Sequence, residues 1–274
     1  MIKRRPDGYH DLVTVFQPLS LADELTVSPG DAGITLECDH PQVPLGEENL
    51  VRRAARAFER ETGQTLRVRL RLLKRIPVAA GLGGGSSDAA GTLLALNTLA
   101  GDPLGAATLH RLAGSLGADV PFFLTGGPAV GRGIGTDLTP LTLPAHWYLL
   151  LNHQAPLSTR WVYENLDLGA LAGLPVLKHW DGERPEDWVH NDLETVAVKR
   201  FPELKDTLEQ LGSLGARARA VSGSGPTIFG LFTSCDMARR AAGAMRRTFA
   251  GWMAVARGLT GPADTNWESQ VWIL

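Results

Sequence analysis

Apolar and polar positions along this chain keep two rhythms, and each change of rhythm marks a new element. From Leu66 to Leu72 the alternation is strict, with Leu66, Val68, Leu70 and Leu72 on one face and Arg67, Arg69 and Arg71 on the other. That is the period of a strand buried on one side. Just before it, Leu50, Ala54, Ala57 and Phe58 fall on one stripe, so the spacing predicts a helix opened by Asn49 and stopped by Gly63. Leu109, Leu112 and Leu116 predict another helix from about Leu104, ending at Gly117. The run VTVFQPLSLADELTV after residue 12 is strand-like, whereas GGPAVGRGIGTDLTPL from residue 126 reads as a strand and a polar crossing. A domain junction is expected at Pro140 to Pro144, which divides the chain into 1–142 and 143–274.

Beyond the junction, Trp147 to Leu151 predicts a buried strand, and Ser158 or Thr159 can cap a short helix. Residues 169–189, rich in Gly, Pro and charge, read as a connection. Two helical patterns follow, split at Pro202. Strands at Arg217 to Val221 and Thr227 to Phe232 flank SGSGPT, and a helix from Asp236 to Phe249 with a strand near Met253 to Arg257 completes the second unit.

The stretch Pro77 to Leu93, PVAAGLGGGSSDAAGTL, obeys neither rhythm at its start. Four of the five residues from Gly81 to Gly85 are glycine, two serines and an aspartate follow, and an Ala/Leu run begins. It reads as a strand end, a tight loop and a helix start. Ser86 or Ser87 is in position to cap the first amides, and a helix N-terminus reached through glycines is a phosphate site. A plain strand-to-helix connection needs only about two or three residues, which this run exceeds. A Walker loop requires a Gly-Lys-Ser/Thr that is missing here, a dinucleotide fingerprint requires glycine where Ser86 stands, and a hydrolase elbow requires glycine at Asp88.

Composition narrows the partners. The 27 basic and 29 acidic residues nearly cancel, so no basic excess points to nucleic acid, and any polyanion is a small one held by a local loop. Cys38 and Cys235 lack metal-ligand spacing, and the seven histidines show no paired motif, which argues for buried or idle thiols in a reducing compartment and against zinc. The opening MIKRRPDGYHDL leads into no signal-peptide core, and the run Trp147 to Leu151 is far too short for a membrane span. A cytoplasmic protein that does not enter membranes is expected. Its oligomeric state is not legible.

PVAAGLGGGSSDAA resembles the phosphate-binding motif of the GHMP superfamily, the kinases related to galactokinase, homoserine kinase, mevalonate kinase and phosphomevalonate kinase. The triple-glycine form is most similar to that of the kinases of 4-diphosphocytidyl-2-C-methyl-D-erythritol, and DGYH, GADVPFF and SGSGPT follow in that family's order. The resemblance implies an α+β fold of two domains, the first like a fold found in a ribosomal protein and the second ferredoxin-like. It implies ATP with Mg²⁺ as phosphoryl donor, cradled by Pro77, Val78, Ala79, Ala80, Gly81, Leu82, Gly83, Gly84, Gly85, Ser86 and Ser87. It also implies a small-molecule acceptor phosphorylated on its 2-hydroxyl, a step of the non-mevalonate isoprenoid route.

The same resemblance makes Asp119 the catalytic base. From the residues alone, Asp119, in GADVPFFL between a helix stop and an expected apolar strand, could be a turn former, yet it is a carboxylate in an apolar setting after the phosphate loop, where burial raises proton affinity. Tyr9 is implied to stack on the cytosine and His10 to hydrogen-bond it, while Thr159 and Tyr163 are implied to close the cytidine pocket. No metal ligand beyond the loop serines is indicated. Asn191, Asp192 and Glu194 match an N-D-x-E segment and read as caps and inter-helix contacts. SGSGPT reads as an ordinary hairpin turn, or, by resemblance, as a second loop beside the first. The family's usual opening strand, P-x-A-K-x-N, has no counterpart after Met1, so it is expected upstream of this start. Another superfamily kinase and a non-catalytic nucleotide-binding module are the competing readings.

Overall fold

A computed structural model describes residues 1–171 and 184–261, so positions 172–183 of the expected connection lie outside the described residues. The chain opens with β1 (Lys3–Arg4), β2 (His10–Phe16), β3 (Glu24–Pro29) and β4 (Ile34–Cys38). The strand-like run after residue 12 therefore supplies two strands. Helix α1 (Leu50–Thr62) begins where Asn49 Oδ1 accepts the Val51 N–H at 2.8 Å, and it ends where Gly63 turns left-handed at φ 67°. The alternating segment is β5 (Val68–Leu73), with Leu70 and Leu72 buried and its arginines exposed.

Helices α2 (Gly84–Leu99) and α3 (Ala106–Leu116) pack with α1 on the three-stranded sheet β3-β5-β4, in which β3 runs antiparallel and β4 parallel to β5. Val27, Ile34, Leu70, Phe58, Leu93 and Leu112 share one core. A strand expected within GADVPFFL is instead a 3-10 turn, Pro121–Leu124. Pro121 has no N–H to offer a ladder, and Phe122 is better satisfied against Phe16, their ring centroids 4.8 Å apart. The polar crossing expected next is a hairpin of β6 (Ala129–Gly133) and β7 (Asp137–Pro140), which completes the sheet β1-β2-β6-β7.

The second half runs through β8 (Trp147–Asn152), α4 (Thr159–Glu164), α5 (Pro185–Trp188), α6 (Glu194–Arg200), α7 (Glu203–Ser213), β9 (Ala218–Val221), β10 (Thr227–Phe232), α8 (Cys235–Met245) and β11 (Trp252–Arg257). Its four strands form one antiparallel sheet in the order β11-β8-β10-β9, the ferredoxin-like arrangement of two interleaved β-α-β units. Leu149, Leu151, Leu204, Leu211, Ile228 and Phe232 centre a second core. Backbone bonds from Ser20 N–H to Arg257 and from Thr227 N–H to Ala80 tie the two halves together. Among the described residues no helix is long and apolar enough to cross a membrane.

Candidate active site

The glycine loop starts its helix earlier than the serines suggest. Gly83, at φ 69°, is the N-cap of α2, so Gly84 to Ser87 form the first helical turn and no side chain caps it. Serine reaches that backbone conformation only under strain. Ser87 instead turns its hydroxyl inward, donating to Gly84 O at 2.7 Å. The first amides of a 16-residue helix are thus left without a side-chain partner, a state that suits an anion better than a hydroxyl cap would.

Close approach explains most of the glycines. A Cβ on Gly81, at φ 72°, would meet the backbone carbonyl of Ser222 and lie 2.8 Å from that of Gly225. One on Gly83 would stand 2.8 Å from the Phe123 ring, and one on Gly84 would stand 3.0 Å from Ile76. The loop is therefore pressed between the second half and the 3-10 turn. Pro77, Val78 and Ala79 form its outer wall, with Val78 exposed and Ala79 at φ 53°. Ala80 is buried, Leu82 packs against the core around Tyr148 and Leu150, and Gly85 stays open to solvent.

Beneath the loop lies a charged cluster that sequence reasoning missed. Lys74 Nζ donates to Asp88 Oδ2 at 2.7 Å and also to Asp23, and the three side chains are only 6%, 6% and 2% exposed. Asp23 Oδ1 additionally accepts the Arg75 and Ile76 N–H groups, at 2.5 and 2.9 Å. One ammonium cannot balance two carboxylates. Burial works against the Lys74 charge, but Asp88 and Asp23 outweigh it and hold the ammonium above its ordinary range. Burial, only partly offset by Lys74 and reinforced by Asp23, pushes Asp88 up to about 7. A lysine three residues ahead of Pro77 and an aspartate directly after Ser87 were the available signals, and neither announces the other.

Asp119 occupies the turn between α3 and the 3-10 turn. Its surroundings are more open than expected, since the side chain reaches solvent. Protein nevertheless crowds it widely enough that desolvation raises its carboxyl. Solvent access combined with surrounding mass describes a group on the wall of a cleft. Four residues on, Phe123 abuts Gly83, which ties this turn to the glycine loop. From the opposite half, Tyr163 on α4 lies within reach of its charge. Burial raises the Tyr163 phenol, and the Asp119 charge raises it further.

His10 joins this group, 8% exposed and with its ring centroid 5.2 Å from that of Tyr163. Burial first, then Arg4 and the chain's amino group, lower its pKa, so the ring is neutral. Thr159 also comes to the cleft, its hydroxyl 2.8 Å from that of Ser224. Tyr9 does not join them, being 58% exposed. Among the described residues no group of three His, Cys, Asp or Glu side chains could hold a metal ion.

Comparison with known proteins identifies the lineage. Residues 49–127 match the sequence model of the GHMP kinases N terminal domain and residues 174–251 that of the GHMP kinases C terminal domain. The 4-diphosphocytidyl-2-C-methyl-D-erythritol kinase of Syntrophotalea carbinolica is 43% identical over 93% of this chain and 92% of its own. That of Thermus thermophilus is 44% identical over 95% and 94%. A crystal structure of 4-(cytidine 5'-diphospho)-2C-methyl-D-erythritol kinase superposes with a TM-score of 0.79 at 39% identity, covering 94% of each chain. Homoserine kinase from Cytophaga hutchinsonii, at 22% identity and a TM-score of 0.67, shares the fold. With a GHMP phosphate motif at the head of α2 and relatives of this identity along almost its whole length, the chain belongs to the 4-diphosphocytidyl-2-C-methyl-D-erythritol kinase family of GHMP kinases.

Proposed function

We propose that this protein transfers the γ-phosphoryl group of ATP to the 2-hydroxyl of 4-diphosphocytidyl-2-C-methyl-D-erythritol. The observation that carries the reading is one cleft with two kinds of wall: the uncapped α2 N-terminus reached through Gly81 to Gly84, and the turn that carries Asp119, whose Phe123 ring abuts Gly83. Phosphoryl transfer asks the protein for positioning and charge neutralisation more than for covalent chemistry. Residues Pro77 to Ser87 hold the nucleotide, with the free amides of the first turn on its phosphates. Asp119, with its raised proton affinity, accepts the proton of the attacking hydroxyl.

His10, Tyr163 and Thr159 line the cytidine side, and the neutral His10 ring can both donate to and accept from a base edge. Tyr9, exposed beside them in sequence, is free to lie over the base. A magnesium ion fits this donor set. Mg²⁺ needs only one or two protein oxygens, its remaining positions being filled by phosphates and water. The Ser86 hydroxyl, which bonds no other described residue, is the candidate ligand. When bound, the ion neutralises phosphate charge. The division at 142/143 is supported by sheets that share no strand between the half ending at Pro140 and the half beginning at Trp147.

The test is ADP release with Mg-ATP, with and without 4-diphosphocytidyl-2-C-methyl-D-erythritol. Release that depends on this alcohol is expected. Equal release with homoserine or mevalonate, or none with any acceptor, would overturn the reading.

A further inference from the structure

The N-D-x-E segment leading into α6 reads as capping, yet Leu193 is the N-cap of that helix and no side chain caps it. Asn191 Oδ1 accepts the Leu193 N–H at 3.0 Å. The other end of the same side chain does something a cap does not require. Asn191 Nδ2 donates to two carbonyls of the loop after β9, Val221 O and Gly223 O, each at 2.7 Å. Glu194 Oε2 accepts the Val221 N–H at 2.9 Å just beside them.

The fastened loop touches both walls of the cleft. Ser222, bracketed by the two held carbonyls, donates its hydroxyl to Gly81 O at 2.9 Å. Ser224, two residues on and 7% exposed, meets the Thr159 hydroxyl at 2.8 Å. Gly223 and Gly225 take φ values of 55° and 79°, so the turn can bend sharply enough to present one serine to each side. A short loop with two left-handed residues has other conformations within reach. The double donation from Asn191 selects this one.

We propose that Asn191 is a positioning residue that fixes the 222–225 loop and thereby keeps the nucleotide loop and the substrate-side Thr159 in one register. The inference rests on the function proposed above, because it assigns Gly81 to the nucleotide side and Thr159 to the cytidine side. Asn191 itself touches neither ligand. Its effect travels through Ser222 to Gly81 and through Ser224 to Thr159.

The experiment measures KM for ATP and for 4-diphosphocytidyl-2-C-methyl-D-erythritol in wild type, Asn191→Ala and Asn191→Asp, well below the melting temperature of each. Loss of two backbone-directed hydrogen bonds should raise both KM values roughly tenfold in Asn191→Ala. Asn191→Asp keeps the acceptor for Leu193 and loses only the donor, so it should raise both as well. A residue that merely bonds the Leu193 N–H would leave the Asp variant silent, and that result would overturn the proposal. So would a rise in only one of the two KM values, or a lowered melting temperature with both unchanged. If neither variant folds, Ser222→Ala and Ser224→Ala replace them. A rise in the ATP KM alone for the first and in the alcohol's KM alone for the second supports the bridge, and unchanged values in both refute it. Wild-type protein with no alcohol-dependent ADP release would instead indict the functional reading. In that case the shifts in melting temperature given by ATP and by cytidine diphosphate, both smaller in Asn191→Ala, still test the latch.

Discussion

Asp88 and Asp119 stand in the same half of the molecule, and both are pushed toward protonation, yet they are built in opposite ways. Asp88 is sealed under the phosphate loop with Lys74 on it and Asp23 across the ammonium. Asp119 has no cation among the causes acting on it, desolvation alone raising its carboxyl, and its side chain reaches solvent. The first geometry can hold a proton and cannot deliver it anywhere. The second can exchange one with whatever enters the cleft. A perturbed carboxyl is a functional candidate only when it is also accessible, and these two residues separate the conditions.

The largest effect is expected from the sealed site. Lys74→Met leaves two carboxylates buried without their ammonium, and breaking a buried pair in this way costs about 3–5 kcal/mol of stability. Chemical denaturation reads it directly. Adding Asp88→Asn to that variant should recover a good part of the loss, and a single variant that melts like wild type would show that the cluster does not bear buried charge. Next comes the open site. Asp119→Asn should lower turnover by roughly 10²-fold or more with ATP binding nearly intact, and near-normal turnover would remove Asp119 from the role of base.

The pH dependences sharpen the contrast. An unprotonated Asp119 is the active form, so kcat/KM should fall as pH drops, with a midpoint above the ordinary aspartate range near about 4, because desolvation raises that carboxyl. A wild-type profile that stays flat down to the ordinary range would contradict this. For Asp88 the sign is reversed and the observable is stability. Its folded value of about 7 stands above the ordinary 3.8, so it contributes stability in full below the unfolded value. That contribution is lost as pH rises through about 7. Asp88→Asn, the mildest change, should leave turnover within roughly a few-fold and flatten the decline in denaturation midpoint across this window. An unchanged slope would sever the link to Asp88.

Much of the framework was legible because its causes are local. Asn49 and Gly63 bound α1 through contacts within a turn, and the alternation from Leu66 to Leu72 needed only one apolar side to pack against. Where local signals misled, a neighbour far along the chain had intervened. The serines looked like the cap of α2, but the left-handed Gly83 took that place where the Phe123 ring leaves no room for a Cβ. GADVPFFL looked like a strand, but Phe122 found Phe16.

The motifs by themselves determined the family, and the periodicities determined α1, α3 and β5, since the phosphate loop's glycines and the repeats around it are written in consecutive residues. The tertiary structure alone decided which side chains meet. Lys74 lies 51 residues from Asp23, Asn191 30 from Val221, and Ser222 141 from Gly81. Contacts across such separations leave no local pattern, because each side chain is chosen for a partner that only the packing of the two halves brings within reach.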